Sequence, residues 1–390
     1  MRVLFTSFAY FPETSGVPIV VQNLAESLVK RGHQVGVVTC MNGKNLPARE
    51  TINGVEVIRF NFGIDIFKRP KGDYLSYIEF VKAYPKDILV LECVQCFTTD
   101  ILLPHLQNMD CKTILHSHGG PGVSMSLFGW EGNVFHSIGH TYNWFFYKYY
   151  YGKMIPKYAK YIDKVICLSL CASDLVYMNR TMDDVKIVEN AVHDMFFDES
   201  LYNIDVSGII GIKNKDYILC ISNYTPNKSQ IDILKAFEES SIRDCSLVMI
   251  GSRKSSYYNQ VKKLAESISE RSGKEIKILT GVNRELFPSI LHQARLFIMA
   301  SKHEEYPVSL VESMAVGCPF VSTNAGCSRI LPGGVTVVER KDLPLYLNVV
   351  ANSNDILSRL SKQGKSYALN NNTLDAVVDR FEKELSSVLS

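Results

Sequence analysis

Apolar runs and amphipathic stretches alternate along the whole chain. Residues 2–8 form an apolar run, and after a polar loop residues 17–29 place seven apolar side chains at steps of three and four, as one helix face does. Gly32 follows as a helix end, and a second apolar run occupies residues 34–39. This order predicts strand, loop, helix and strand, and a right-handed crossover would pack the helix on a parallel sheet.

The alternation continues in two series, separated by a polar stretch at 193–216 that follows Asn190-Ala191-Val192. Further buried strands are predicted at Val55–Phe60, Ile88–Leu91, Thr113–Ser117, Val165–Ser169, 217–222, 246–251, 276–281, 296–301 and 319–323. We therefore expect an α/β fold of two facing Rossmann-like, doubly wound domains, residues 1–195 and 196–372. A closing helix at 373–390 is a candidate to pack back on the first domain. Ligands of such sheets bind outside the carboxyl ends of the strands, so the expected site is the cleft between the domains.

Composition limits the function classes. The 390 residues carry 42 Lys and Arg against 40 Asp and Glu, so no global field favours a nucleic-acid partner. No apolar run reaches the eighteen or so residues of a membrane span, and Pro12 and Glu13 come too early for a signal peptide, so a cytoplasmic protein is expected. The ten cysteines are predicted to be buried free thiols, with a metal or redox pair at CVQC or CLSLC as the alternative.

The segment SKHEEYPVSLVESMAVGCPFVST, residues 301–323, runs from a strand end through a helix to the next strand. Pro307 suits the first turn of that helix, and Ser309, Glu312 and Ser313 are predicted to share its polar face. Unpaired backbone N–H groups at the helix start favour a diphosphate, whereas a carboxylate such as Glu304 favours sugar hydroxyls.

This segment resembles the signature of the retaining glycosyltransferases of family 4, two-domain GT-B enzymes with two glutamates separated by seven residues. Glu304 and Glu312 fit that spacing, and Tyr306-Pro307 stands where the family has Phe-Pro. The resemblance implies transfer of a sugar from a nucleotide diphosphate sugar to a hydroxyl with retention at the anomeric carbon. It implies no metal and no cofactor, and it places the donor against Tyr306, Pro307, Val308 and Ser309.

Two further segments of the second half resemble the family's donor site. CISNYTPNKSQIDILKAF carries Lys228 where the family has the lysine that holds the diphosphate, but Asn223 stands where an arginine is common. Arg253 or Lys254 is a candidate to supply the missing charge, with solvated surface cations as the alternative. Gly281 and Val282 resemble the loop that meets the nucleobase through backbone groups.

In the first half, the loop Pro12–Gly16 resembles the family's Gly-Gly loop, with Ser15 replacing the first glycine, and its amides would approach the phosphate. His118, at the end of the strand TILHSHGGPG, resembles the histidine that contacts the transferred sugar or the acceptor. His116 shares its side of the strand and is the second choice. A simple connector and a structural histidine are the alternatives. The glycines that follow are not a dinucleotide fingerprint, which argues against an NAD enzyme.

The resemblance also implies roles. Lys228 would neutralise charge on the leaving diphosphate, Glu312 would accept hydrogen bonds from the ribose hydroxyls, and Glu304 would hold the hydroxyls of the transferred sugar. The acceptor proton would pass to the leaving phosphate.

Residues 142–161 are aromatic and basic, with no acidic residue. They predict either a peripheral contact with the inner face of a membrane, facing a sugar or lipid-linked acceptor, or a buried helix that leads into the strand at Val165. Gly152 and Pro156 should interrupt a single amphipathic helix. Synthesis of cell-surface polysaccharide or glycolipid is the expected setting.

Two other functions stay open at this point. One is a nucleotide-sugar epimerase on the same architecture. The other is a non-catalytic relative that binds nucleotide or a partner, suggested by Asn223, Ala191 and the atypical segment NAGCSRIL. Neither the sugar, the base nor the acceptor can be named from these motifs.

Overall fold

The computed structural model describes residues 1–13, 16–41, 43, 45–126, 134–214 and 216–390. It divides into two units, the first formed by Met1–Glu189 with Val377–Ser390 and the second by Asn190–Ala376. The sequence pattern predicts these boundaries after residues 195 and 372.

Unit 1 is built on a sheet in which every pair is parallel except the one between the third and fourth strands. Within the described residues its spatial order is β10-β9-β8-β7-β1-β2-β4-β3, and β5 and β6 form a separate hairpin. The strands are β1 Arg2–Thr6, β2 Gln34–Cys40, β3 Arg49–Ile52, β4 Val55–Phe60, β5 Phe62–Ile64, β6 Pro70–Gly72, β7 Ile88–Glu92, β8 Lys112–Ser117, β9 Lys164–Cys167 and β10 Val185–Ile187. The predicted strand at Val165–Ser169 therefore ends two residues early.

The helices of unit 1 connect and cover these strands. They are α1 Val17–Lys30, α2 Tyr74–Ala83, α3 Phe97–Asp100, α4 Val134–Tyr149, α5 Ile155–Tyr158 and α6 Leu175–Thr181. Gly32 lies just past α1 with φ of 87°, as the pattern predicts. Between α4 and α5 the regular α-helix is interrupted at Gly152, as predicted, by a π-helical turn at Tyr150–Met154, although the chain stays helical through Pro156.

Unit 2 repeats the βα alternation. In its described residues the sheet is wholly parallel, in the order β13-β12-β11-β14-β15-β16. The strands are β11 Asp216–Ile221, β12 Cys245–Gly251, β13 Ile276–Thr280, β14 Leu296–Met299, β15 Phe320–Thr323 and β16 Gly334–Val337. Its helices are α7 Ser207–Ile210, α8 Gln230–Glu239, α9 Ser256–Ser272, α10 Phe287–His292, α11 Val308–Ala315, α12 Leu343–Ala351 and α13 Asn354–Asn371, and α14 Leu374–Ser387 follows at the end of the chain.

The last helix belongs mainly to unit 1. Its residues from Val377 onward cluster with that unit, where the ring of Phe381 stacks on Phe5 with 6.1 Å between centroids. On the same helix, the Glu382 carboxylate lies 2.7 Å from Nη1 of Arg31, a residue that directly follows α1. Unit 1 is thus assembled from both ends of the sequence.

Helix α11 is more deeply buried than its pattern predicts. Leu310 through Ala315 are all buried, including Glu312 and Ser313, because the helix packs on β14 and β15 on one side and on α13 on the other. The predicted polar face is therefore wrong for those two residues. Pro307 is the N-cap rather than a residue of the first turn.

The ten cysteines form no disulfide bonds among the described residues, and most of them are buried, as predicted. In the ranges that the structure describes, the helices are all too short or too polar to span a bilayer.

Candidate functional site

The carboxyl ends of three parallel strands in unit 2 carry most of the predicted site residues. Asn223 and Lys228 follow β11, Gly281 and Val282 follow β13, and Glu304 follows β14. Since β11 and β14 are neighbours in the sheet, the loops that leave them meet at the same edge.

Lys228 and Glu304 form an ion pair through Nζ and Oε1. Both side chains are partly buried. The two loops are held together by Asn227, whose Nδ2 donates to the His303 carbonyl at 2.9 Å and whose own carbonyl accepts from the Lys302 amide at 2.7 Å. Two predicted site residues from distant parts of the sequence are thus brought into contact.

Gly326 allows the loop that carries Glu304 to pack closely against it. Its φ is 59°, and a Cβ at this position would approach the Glu304 carbonyl oxygen to 2.7 Å and that of Glu305 to 2.8 Å. Those distances are well below van der Waals contact, so only glycine permits the close approach. The segment NAGCSRIL, atypical for the family, therefore supports the Glu304 loop directly.

Glu312 is paired with a residue that the sequence interpretation missed. Its buried carboxylate accepts a hydrogen bond from the Arg284 guanidinium. Burial raises the pKa of Glu312, and the charge of Arg284 opposes that shift. The guanidinium also lies over the rings of Phe196 and Phe287, 5.6 and 5.9 Å from their centroids. The sequence signal that could have identified Arg284 is a cationic residue three positions after Gly281, close to the end of a strand.

The other predicted donor residues lie on loops or at a helix start of unit 2. Asn223 is exposed, and its Oδ1 accepts from the Ser252 hydroxyl at 2.5 Å. Arg253 and Lys254 are exposed on the next loop. Val308 and Ser309 begin α11 half-buried, and Gly281 has φ of 74°.

Tyr306 is buried, and its hydroxyl accepts from Nδ2 of Asn372 at 2.7 Å. The same amide donates to the Asn190 carbonyl at 3.0 Å. Tyr306 therefore fixes the start of α11 to the end of α13.

Unit 1 holds a second cluster, at the ends of β7 and β8. Glu92 is 1% exposed, and its carboxylate lies 2.7 Å from Nε2 of His118 and 3.1 Å from Nδ1 of His116. The two imidazole centroids are 4.4 Å apart, which confirms that both histidines face the same side. Phe381 of α14 covers the cluster, 5.3 Å from His116.

The charges of this cluster follow from its geometry. Burial alone would raise the pKa of Glu92, but the two imidazoles outweigh it and hold this pKa at about 2. Burial lowers the pKa of His118. An ionised carboxylate only accepts hydrogen bonds, so the facing ring nitrogens are N–H groups, and His118 keeps Nδ1 as an acceptor.

Glu92 was not predicted as a site residue, although it is the single acid that closes the apolar run ILVLE. In the described part of the chain, Glu92, His116 and His118 are also the side chains whose donor atoms converge closely enough, within 4.8 Å, to hold one metal ion.

At the first loop, Gly16 precedes α1 with φ of 65°. Ser15 lies outside the described residues, so its predicted phosphate contact has no structural counterpart here.

Two Rossmann-like α/β units with parallel sheets define the fold class of the GT-B glycosyltransferases. The structure is similar to Anabaena HepE in complex with UDP and glucose, with a TM-score of 0.70 over 99% of this chain and 100% of that one, at 14% identity. The predicted fold class is confirmed.

The family follows from the sequence matches. Residues 14–194 match the family described as Glycosyltransferase Family 4, and residues 207–331 match Glycosyl transferases group 1. The chain belongs to this glycosyltransferase family.

Two curated relatives are similar to most of the chain. The phosphatidylinositol N-acetylglucosaminyltransferase GPI3 subunit of Saccharomyces cerevisiae is 24% identical over 84% of this chain and 69% of its own length. The alpha-monoglucosyldiacylglycerol synthase of Streptococcus pneumoniae is 22% identical over 83% and 71%.

Proposed function

We propose that this glycosyltransferase takes a sugar from a UDP-sugar, without a metal ion or cofactor, and transfers it with retention to a hydroxyl of a lipid-linked acceptor. The observation that carries the proposal is the Lys228–Glu304 pair at the ends of β11 and β14. An ammonium and a carboxylate side by side suit a donor whose diphosphate is anionic and whose sugar offers hydroxyls.

The donor would lie along the strand ends of unit 2. Lys228 would leave Glu304 for the diphosphate, joined there by the amides at the start of α11. Gly281 and Val282 would meet the base through backbone groups. The structural relative HepE is in complex with UDP and glucose, which supports UDP as the nucleotide.

The reaction breaks the bond between the anomeric carbon and the diphosphate oxygen, and the acceptor oxygen bonds to the same face of that carbon. The acceptor proton passes to the departing phosphate, so no protein nucleophile is needed. Lys228 stabilises the charge that builds on the leaving group, which is the dominant contribution to such rates. Glu304 holds the sugar hydroxyls, and Asn223 donates a hydrogen bond nearby.

Glu312 would accept from the ribose hydroxyls while Arg284 keeps its carboxylate ionised and oriented. His118 would accept a hydrogen bond from a sugar or acceptor hydroxyl through Nδ1, because Glu92 occupies its other nitrogen. Glu92 then acts as a positioning residue.

A lipid-linked acceptor is supported by the surface of unit 1. Phe145 and Tyr149 are exposed large apolar side chains in the basic segment 142–161, a composition that favours an anionic membrane surface. The names of both relatives include a lipid, phosphatidylinositol in one and diacylglycerol in the other. The setting would be glycolipid or polysaccharide synthesis at a membrane face.

The test is a calorimetric binding screen of UDP-, GDP- and ADP-sugars, followed by acceptor-free turnover and NMR of the anomeric product. We expect UDP-sugars to bind, and Lys228→Ala to lower turnover more than a hundredfold with an unchanged melting temperature. Lys235→Ala, an exposed lysine on α8, is the matched control. Equal turnover in the two variants, an inverted product, or release of an epimerised sugar nucleotide would contradict the proposal.

A further inference from the structure

We propose that a cavity within unit 1 binds a single hydrocarbon chain of the acceptor lipid. The identity of the lipid as acceptor rests on the proposed function. The cavity has a volume of about 220 Å³ and lies between the β5–β6 hairpin, α3 and the junction of α4 with α5. Its walls are mainly apolar, formed by Phe62, Phe97, Ile101, Phe146 and Met154.

The volume of the cavity favours a hydrocarbon chain over a sugar-nucleotide donor as its ligand. An apolar cavity of about 150 Å³ holds benzene, so by volume this one has room for roughly nine carbon atoms. Pockets for whole small-molecule ligands usually measure about 300–1,000 Å³. A sugar nucleotide is therefore too large and too polar, whereas the first carbons of an acyl or isoprenoid chain, next to its polar group, fit.

Three polar groups in the lining suit the polar end of such a ligand. Lys68 lies over the rings of Phe146 and Tyr147, with Nζ 3.8 and 4.3 Å from their centroids, and brings a positive charge. Nε2 of Gln95 is buried and has no hydrogen-bond partner in the part of the chain that the structure describes. A buried donor without a partner is costly, so a hydroxyl or ester oxygen there would be stabilised.

The third polar group is Asp100. Its Oδ1 accepts a hydrogen bond from the Tyr150 hydroxyl at 2.6 Å, and burial raises its pKa to about 7. With this pKa the carboxyl is about half neutral at pH 7, and an anionic head group beside it would favour the neutral form. Together with the Lys68 charge, the lining complements a phosphate or carboxylate joined to hydrocarbon.

The surface around the cavity is also apolar. Ile64 lines the cavity and is itself exposed, and the hairpin loop that follows presents Ile66, 84% exposed, and Phe67, 58% exposed. The Tyr142 hydroxyl donates to the Phe67 carbonyl at 3.3 Å, which ties this loop to α4, where Phe145 is exposed. A chain that leaves the cavity thus meets apolar side chains, as a lipid drawn from a bilayer would.

The test uses the full chain and cis-parinaric acid, a fluorescent polyene fatty acid, displaced by saturated fatty acids of six to fourteen carbons below their micelle concentrations. Each methylene buried adds about 0.8 kcal/mol, which is about a fourfold tighter dissociation constant. We expect this gain for each added carbon up to about nine carbons and then a plateau. A gain that continues without a plateau would indicate adsorption to the surface and overturn the inference.

Met154→Trp fills the cavity and should weaken chain binding at least tenfold, and Ile101→Phe is a smaller filling should the first variant fold poorly. Val176→Ser, which removes an exposed apolar residue on α6, is the matched control and should bind normally. Unchanged binding in both filled variants, with melting temperatures like that of the control, would refute the cavity as the site.

UDP binding is measured on the same preparations. UDP binding without chain binding contradicts only the cavity. A chain plateau without UDP or UDP-sugar binding leaves a lipid site in place and contradicts the proposed function.

Discussion

Replacing Glu92 by Gln removes one buried charge and keeps the shape of the side chain. The carboxylate accepts N–H groups from His116 and His118, but an amide has only one acceptor oxygen. Its NH₂ group therefore faces the N–H of one imidazole unless that ring changes tautomer. One charge-assisted hydrogen bond is lost, and the other becomes a neutral one.

The expected loss of unfolding free energy follows from the change in these two hydrogen bonds. A hydrogen bond to a charged group contributes about 1.5–3 kcal/mol and a neutral one about 0.5–1.5 kcal/mol. Relief from burying a charge offsets part of the loss. We expect unit 1 to lose about 2–3 kcal/mol of unfolding free energy at pH 7.

The pH dependence gives a sharper test. The pKa of Glu92 falls from an ordinary 4.5 to about 2 in the folded protein, so its contribution is present above pH 4.5 and is lost as the pH falls toward 2. A shift of this size corresponds to about 3 kcal/mol, in agreement with the bond estimate. The stability curves of the wild type and the variant should therefore converge between pH 4.5 and 2.

His118 adds a loss of its own in both proteins, smaller in the wild type because Glu92 opposes the lowering of the His118 pKa. Because burial lowers its pKa below the ordinary 6.5, the unfolded chain binds that proton first, and stability decreases as the pH falls through 6.5. The difference between the two proteins, rather than either curve alone, reports on Glu92.

Urea unfolding at pH 7, 5, 4 and 3 measures this difference. Tryptophan fluorescence reports on unit 1, since both tryptophans, Trp130 and Trp144, fall within its sequence range. Glu79→Gln, an exposed position on α2, is the control and should change stability by less than about 0.5 kcal/mol. A loss equal to the control, or an offset that stays constant down to pH 3, would refute the reasoning.

Three other measurements bear on the donor site. Glu312→Gln should weaken UDP binding by about 1–3 kcal/mol through loss of a charged hydrogen bond, whereas Glu339→Gln should not, and an unaltered dissociation constant would remove Glu312 from the site. Gly326→Ala should cost more stability than Gly273→Ala, because Gly273 has a similar positive φ but open space around it, and equal losses would show that the contact with the Glu304 loop is unimportant. Turnover should survive EDTA within about twofold, and a strict requirement for added Mg²⁺ or Mn²⁺ would contradict the metal-free proposal.

The regular part of the fold was predictable because it repeats one pattern. Long apolar runs followed by helix-period stretches mark the central parallel strands, which are buried on both faces. The strands that escaped prediction are short or exposed. The sequence RETI of β3 carries two charges and alternates exposed with half-buried residues, and Pro70–Gly72 of β6 contains proline and glycine, so neither looks like a buried strand.

The candidate site was predictable only where its residues stand at the characteristic positions of a sequence motif. Glu304 and Lys228 stand at such positions, and they are in contact. Glu92 and Arg284 do not, because their importance comes from partners 24 to 28 residues away that only the folded chain brings near. Burial of Glu312 was missed for the same reason, since α13, which covers α11, starts some forty residues later.

The division of unit 1 between the two ends of the sequence has a consequence for synthesis. Phe381, which stacks on Phe5 and covers His116, leaves the ribosome about 190 residues after Glu189. At 5–20 residues per second this is a delay of roughly 10–40 s. The first domain to emerge is therefore the last to be finished, and during that interval the nascent chain displays an apolar surface that a chaperone can bind.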